Sequence, residues 1–219
     1  MCNKKNVMSH LILNNIGGPG ILIFVGALIS AVGAIWAMKQ QASFERQLRL
    51  KSDEIATLSQ QIAHSVTGGE SYCYLAFSLP DSNSTNSLMT VVHQGKFPLY
   101  DVSIRLVDLA AFDTNMKGKT QISIDDFQKT NQIFSIGNLP SGQAMTIGKW
   151  QLPQSGKARY NIFISARNGF ITELVRIELV SGKWVAAYKV EAGSGRKHGV
   201  LYEKIHPDFP RNEKGEVLW

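Results

Sequence analysis

The chain has 219 residues, of which 44% are hydrophobic and 18% are charged, and its 23 basic against 17 acidic residues give a net charge of +6. Residues 1–67 hold six basic and three acidic residues, and residues 68–219 hold seventeen and fourteen, so each part contributes +3. This even division predicts no basic stripe of the kind that binds nucleic acid. Cys73 is the only cysteine after Cys2, which excludes an internal disulfide in the soluble part.

An uncharged stretch at residues 16–38, which follows a short N-terminal tail at 1–15, predicts a transmembrane helix. As a helix it would reach about 34 Å, enough to cross a hydrocarbon core of about 30 Å. The alternative is a cleaved secretory signal, which has a shorter apolar stretch of about 7 to 15 residues before a small-x-small cleavage site. Here the stretch is longer, it ends in Trp36 and Met38, and Lys39 follows it, so we expect an uncleaved, single-pass anchor.

The same helix is predicted to continue into an amphipathic, coiled-coil stalk at residues 39–66, before a glycine linker at 67–70. Within the membrane span, small residues recur at intervals of three and four and share one helix face, which favours close packing of helices in lipid. Beyond the span, apolar residues continue the spacing as the a and d positions of a heptad. The predicted self-association residues are Ala27, Ser30, Ala34, Ala37, Phe44, Leu48, Ile55, Leu58 and Ile62.

Gln41 and Lys51 also occupy a and d positions, which together form the heptad seam, and these polar side chains weaken the coiled coil. An amphipathic helix that lies against its own domain is the alternative to self-association. We expect a homo-oligomer.

The balance of basic residues around the span gives an orientation. Lys4 and Lys5 precede it, whereas four basic residues follow it, which favours a cytosolic C-terminal part. These four suit anionic lipid headgroups, at about 1 kcal/mol each near the surface. They are Lys39, Arg46, Arg49 and Lys51.

From residue 71 onward the hydrophobic pattern has period two, which is typical of half-buried strands. Asn168-Gly169 and Ser181-Gly182 separate the last three strands at hairpin distance, which predicts an antiparallel meander with type I′ turns. One short helix is predicted at 124–129, with Asp125 and Asp126 in its first turn. The predicted strands cover 72–79, 88–93, 102–107, 143–152, 160–165, 171–180 and 183–191. This pattern predicts a mainly β domain at 71–192, an antiparallel immunoglobulin-like β-sandwich.

Two segments carry a resemblance to a known family. Residues 92–102 read VHQGKFPLYDV, and residues 136–143 read IGNLPSGQ. They resemble bacterial immunoglobulin-like domains of the CARDB type, in which a glycine-containing turn separates two strands and a later Leu-Pro-x-Gly turn precedes another. The family usually has Asn where Gln94 stands. The resemblance implies a binding or spacer module, and it brings no catalytic residues.

The end of the chain, residues 193–219, is predicted to be a basic loop followed by an extended segment. Residues 192–199 lack the order of a phosphate-binding P-loop. Pro207 and Pro210 disfavour a helix after them. Trp219 either packs on its own domain or serves as a handle for a partner.

No catalytic or metal-binding motif stands out. The five histidines show no metal-ligand spacing, so neither a metal nor a cofactor is predicted. Cys73 with His93 resembles a thiol and base pair, but its strand pattern favours a small buried side chain for Cys73. We therefore expect a protein that is not an enzyme.

Two functions remain open. In the first, the protein is a single-pass, membrane-anchored binding or scaffolding protein whose β domain contacts a protein partner of unknown identity. The contact would involve a sheet edge or the aromatic-rich turn, with Phe97, Leu99, Tyr100 and Trp219 as candidate contacts. In the second, the protein is a membrane-perturbing effector whose transmembrane helices assemble on a trigger that the β domain senses.

Overall fold

A computed structural model describes residues 18–81, 84–121, 123–193 and 199–219 of the chain. The predicted N-terminal tail, the start of the apolar stretch and most of the predicted basic loop lie outside the described residues. The chain divides into two compact units after Gln60. The helices are α1 (Gly18–Thr67), α2 (Leu109–Met116) and α3 (Ile124–Gln128). The strands are β1 (Tyr72–Phe77), β2 (Asn86–Gln94), β3 (Leu99–Asp108), β4 (Asn131–Leu139), β5 (Ala144–Gln151), β6 (Lys157–Ala166), β7 (Gly169–Val180), β8 (Lys183–Ala192) and β9 (Val200–Ile205).

Helix α1 is one uninterrupted element, as the continuous spacing of small and apolar residues predicted. It ends where Gly68 takes a φ of 99° and its N–H donates to the carbonyl of His64 at 2.8 Å. Glycine adopts this left-handed conformation without a steric penalty, which explains the end of the helix. Among the described residues, α1 is the one helix long and apolar enough to cross a membrane, with a mean hydropathy of 2.4 over its most apolar window.

The strands form two antiparallel sheets. The smaller sheet has the order β1-β2-β5, and the larger has the order β4-β3-β6-β7-β8-β9. Strands β6, β7 and β8 form the predicted meander. The antiparallel β architecture expected from the period-two pattern is therefore confirmed.

Both sheets contribute to one hydrophobic core. Alternate residues of β1, β2, β3, β6 and β7 point inward, and Tyr160 lies between the sheets with its hydroxyl accepting a 2.9 Å bond from the indole of Trp150. The largest fully buried side chains are Tyr160, Leu75, Met89, Leu99, Ile104, Leu106, Leu139, Leu152, Ile162, Ile164, Ile171 and Ile177.

Two strands and one helix were missing from the prediction. Strand β4 lies at a sheet edge, where only one of its nine residues is buried and no alternation marks them. Helix α2 follows β3 directly, and Asp108 caps it by accepting bonds from the amides of Ala110 and Ala111. Strand β9 pairs with β8, so the predicted domain boundary at residue 192 was wrong and the domain continues to the end of the chain.

The C-terminal segment packs on the outer face of the larger sheet. Phe209 and Val217 are buried against Val185 and Ala187 of β8, and Trp219 is half-buried beside them. The ammonium of Lys189 lies 5.9 Å from the centre of the Trp219 ring. Of the two predicted roles of Trp219, packing on its own domain is the one this structure shows.

The two hairpin turns of the meander differ from each other. Ser181 and Gly182 both have positive φ, 49° and 78°, which matches the predicted type I′ turn. In the other turn Ala166 pairs with Gly169, so Arg167 and Asn168 form the loop and the predicted Asn168-Gly169 centre was wrong. The amide of Asn168 donates instead to the carbonyls of Gly69 and Ser71, at 2.9 and 2.8 Å.

Candidate functional site

The predicted self-association residues on α1 are all exposed. Along the heptad seam, the exposed fraction runs from 50% at Leu58 to 65% at Ile62. Ala27, Ser30, Ala34 and Ala37 are likewise exposed, and the hydroxyl of Ser30 donates to the carbonyl of Gly26 instead of reaching outward. These apolar side chains therefore form a surface along the helix.

The four basic residues predicted to face lipid headgroups are also exposed. Lys51 forms an ion pair with Glu54 at 2.7 Å, one turn along the helix. Lys39, Arg46 and Arg49 form no ion pair among the described residues. The local charge near the predicted membrane end of the stalk is thus mostly positive.

The aromatic-rich turn at residues 97–100 contacts the end of α1 within the same chain. The ring of Phe97 meets the ring of His64 edge to face, with centroids 5.5 Å apart. Leu99 is 1% exposed and belongs to the core, so its predicted role as a partner contact was wrong. Tyr100 lies under the guanidinium of Arg167, 4.8 Å from the ring centre. Residues 97–100 therefore stabilise the last helical turn of α1.

Arg167 joins three parts of this region. Its Nε and Nη2 donate to Asp101 at 3.1 and 2.9 Å, and its Nη1 donates to the carbonyl of Val66 at 3.2 Å. A cation at the C-terminal end of a helix is favourable because the unpaired carbonyls there carry partial negative charge. Asp101 has a φ of 55°, an unusual conformation for a residue other than glycine, within an irregular part of β3.

A carboxyl group is buried in the core. Glu173 of β7 is fully buried, and its Oε2 accepts a 2.8 Å bond from the amide of Leu75 in the opposite sheet. Its Oε1 has no hydrogen-bond partner in the described residues. Because burial penalises the charged form more than the bond to Leu75 favours it, the pKa of Glu173 rises to about 8.

Tyrosines close the core beside Glu173. Tyr74 of β1 stacks on Tyr202 of β9, with ring centres 4.8 Å apart, and the hydroxyl of Tyr72 donates to the carbonyl of Leu201. Tyr188 accepts a 3.2 Å bond from the amide of Phe77, and burial raises its pKa. A cavity of about 300 Å³ opens next to these rings. The tyrosines thus join the edges of the two sheets.

Cys73 and His93 are directly opposite each other on β1 and β2, and both are buried. Both imidazole nitrogens are engaged by the backbone: Nε2 lies 2.8 Å from the carbonyl of Phe97, and Nδ1 accepts from the amide of Gly142 at 3.2 Å. The ring therefore donates through Nε2 and has no lone pair left to take a proton from the thiol. His93 therefore joins two turns to the sheet.

A cavity of about 360 Å³ lies between the outer face of the larger sheet and the C-terminal segment. Lys157, Arg159, Arg176 and Arg211 line it, together with Glu178 and the ring of Trp219. Arg176 is only 5% exposed, and burial together with the nearby Arg159 lowers its pKa to about 10. At neutral pH this buried group is therefore a cation.

Sequence reasoning could have found one of these groups. Glu173 stands where the alternation of Ile171, Val175 and Ile177 places an inward residue, so a charge on the core face was readable. The contacts of Arg167 and Arg176 join residues far apart in the chain, and no local sequence pattern predicts them.

In the described part of the chain, no group of three or more His, Cys, Asp or Glu side chains is arranged to hold a metal ion. No protein-family model, curated protein or solved structure matches the chain.

Proposed function

We propose that the chain is a single-pass, membrane-anchored binding or scaffolding protein that presents a β domain to a protein partner through a self-associating helical stalk. The observation that carries the proposal is the exposure of apolar side chains along α1, from the uncharged stretch to the heptad seam. In this proposal, lipid buries the apolar side chains of the uncharged stretch, and a second helix buries those of the heptad seam.

The anchor is supported by the first part of α1. Its large apolar side chains between residues 21 and 38 are exposed by 44% to 74%, and no charged residue interrupts them. Each side chain of this size is worth about 1.5 to 3 kcal/mol when it is removed from water. A bilayer would supply that burial, and Lys39, Arg46, Arg49 and Lys51 would then lie at the cytosolic headgroups.

Self-association is supported by the next part. Phe44, Leu48, Ile55, Leu58 and Ile62 follow the spacing of heptad a and d positions and are all at least half exposed. A second copy of the same helix offers the matching surface, because identical seams interdigitate as knobs and holes.

The β domain is proposed to be an immunoglobulin-like sandwich related in fold to CARDB-type domains. Its two antiparallel sheets share one core, and both segments of the resemblance connect strands of different sheets. Residues 92–102 lead from β2 to β3, and the Leu-Pro-Ser-Gly turn leads from β4 to β5, with Gly142 at a φ of 70°.

The partner is proposed to bind at the outer edge of β4. Among the described strands, β4 pairs only with β3, so one row of its backbone groups remains available for an added strand. Ile133 in this strand is 70% exposed, and Ile124 in the adjacent α3 is 76% exposed. The turn at 97–100 is already used by the end of α1, which leaves this edge as the better surface.

Cysteine crosslinking in native membranes tests the stalk. Starting from a variant in which Cys2 and Cys73 are replaced by serine and alanine, single cysteines are placed at Phe44, Leu48 or Leu58. Oxidation should give disulfide-linked dimers at these positions. The matched controls are Arg46, Asp53 and Gln60, which lie on the opposite side of the heptad and should crosslink weakly. Equal crosslinking at all six positions would contradict a helix–helix contact along the heptad seam.

Membrane extraction tests the anchor separately. The full-length protein should stay in the pellet after an alkaline carbonate wash and enter the soluble fraction only with detergent. Release by carbonate alone would exclude an integral membrane helix.

The effector function would use the same exposed helix face as the stalk's self-association. A Cβ added to Gly26 or Gly33 would meet no atom within 4 Å, so this face leaves room for the close approach of another helix. Expression of the full-length protein with a membrane-potential dye distinguishes the two functions. Depolarisation that Ala34→Leu abolishes would favour the effector, and an unchanged potential would favour the scaffold.

A further inference from the structure

The strongest unexplained feature is the charge in the cavity under the C-terminal segment. Four cations and one carboxylate line it. Lys157 is paired with Glu178 at 3.3 Å, and Arg159 is paired with Asp113 of α2 at 2.6 Å. Arg176 and Arg211 have no side-chain carboxylate partner among the described residues, so two guanidinium groups at the site are left without an ion pair.

Arg176 is a buried cation that the protein itself does not neutralise. Its Nη1 donates to the carbonyls of Tyr160 and Val175, and its Nη2 donates to the amide oxygen of Asn161 at a long 3.3 Å. Its Nε is buried without any partner. A buried charge is normally paired, because losing hydration is costly unless an opposite charge replaces it.

The rest of the cavity is suited to the organic part of a ligand. Phe209 is buried at its wall, and Leu218 and the half-buried ring of Trp219 lie on the same side. Its volume of about 360 Å³ is within the range of small-molecule sites. Arg211 is exposed at the mouth, where its Nη1 donates to the carbonyl of Gly215.

We propose that this cavity binds a phosphate monoester with an apolar body, and that Arg176 and Arg211 bind its phosphate while Trp219 and Phe209 contact the body. A phosphate monoester carries a charge of about −1.5 to −2 at neutral pH, which suits a site with two unpaired guanidinium groups. Guanidinium groups bind such an oxyanion through paired N–H donors. The site is independent of the proposed anchor and stalk.

Titration calorimetry on the full-length protein in an uncharged detergent tests the site with phenyl phosphate as the probe. The protein should bind phenyl phosphate, and phenol, which lacks the phosphate, should bind at least tenfold more weakly. Arg211→Gln removes an exposed cation and should weaken binding of phenyl phosphate at least tenfold without disturbing the fold. Arg176→Met should do the same. Lys149→Gln, which removes an exposed cation from the other sheet, should change the affinity less than twofold.

Detergent-solubilised phosphatidic acid and phosphatidylcholine with the same acyl chains separate the two sources of the phosphate. Binding of phenyl phosphate that depends on Arg211 indicates a soluble ester. Binding of phosphatidic acid alone, with the same dependence, indicates a lipid headgroup, and either result supports the site. The proposal is overturned if no phosphate probe binds, or if wild type, Arg211→Gln and Arg176→Met bind equally.

Discussion

Glu173 should make the β domain less stable as the pH rises from about 4.5 to about 8, which are its ordinary and its folded-state pKa values. In that range the folded protein keeps a proton on Glu173 that the unfolded chain has released. Folding therefore takes up a proton, and the free energy of unfolding falls with rising pH. The stabilising contribution is complete below the lower pKa and is lost above the upper one.

The magnitude follows from the difference between the two pKa values. Each unit is worth about 1.4 kcal/mol, so the whole range corresponds to a loss of about 5 kcal/mol. This is a large part of the stability of an ordinary domain, about 5 to 15 kcal/mol. Glu173→Gln keeps the shape of the protonated acid and cannot ionise, so it should lack this contribution to the pH dependence.

The assay is urea unfolding of the full-length protein in an uncharged detergent, followed by tryptophan fluorescence at several pH values. The difference between wild type and Glu173→Gln should grow with pH in favour of the variant, because subtraction removes the contribution of other groups. Glu178→Gln, the same change at a partly exposed position of β7, controls for the chemical substitution. A difference that is constant from pH 5 to pH 8 would refute a protonated Glu173.

Three further changes test other parts of the structure. Arg167→Ala should lower the free energy of unfolding by about 1 kcal/mol in urea melts, because its partly exposed ion pair and its bond to the helix end are lost; no loss would show that these contacts add nothing. Gly95→Ala should lower the free energy of unfolding by at least about 2 kcal/mol, since its φ is 117° and the added Cβ would lie 2.6 Å from the hydroxyl of Ser71. Gly118→Ala, where the added Cβ meets open space, should cost less. Similar losses in the two variants would contradict the close approach of Gly95 to Ser71. Ala34→Leu should reduce disulfide crosslinking at the stalk in membranes while Val32→Leu, on the other side of the helix, leaves it unchanged; equal effects would contradict the small-residue face.

The sequence predicted what local periodicity determines. Alternating residues such as Ile162 and Ile164 marked the inner strands, and the glycine after Thr67 marked the end of α1. Edge strand β4 was missed because only one of its nine residues is buried, so its sequence carries no alternation of apolar and polar residues.

The interior groups depend on contacts between distant residues, which periodicity does not encode. Leu99 was predicted to meet a partner because it stands in an aromatic turn, yet the turn folds inward and buries it. Arg167 reaches Val66 across about a hundred residues of sequence, and Arg176 is covered by a segment that was predicted to lie outside the domain.

The fastening of residues 66–69 to the β6–β7 hairpin has a mechanical consequence. Val66 and Gly69 are hydrogen-bonded to Arg167 and Asn168, which form the tip of two strands in the middle of the larger sheet. A pull applied at Thr67 would therefore load those strands from their common end as well as through the following strand β1. These few side-chain bonds lie in series with the hairpin, so they would break before the backbone bonds that hold β6 and β7 along both sides.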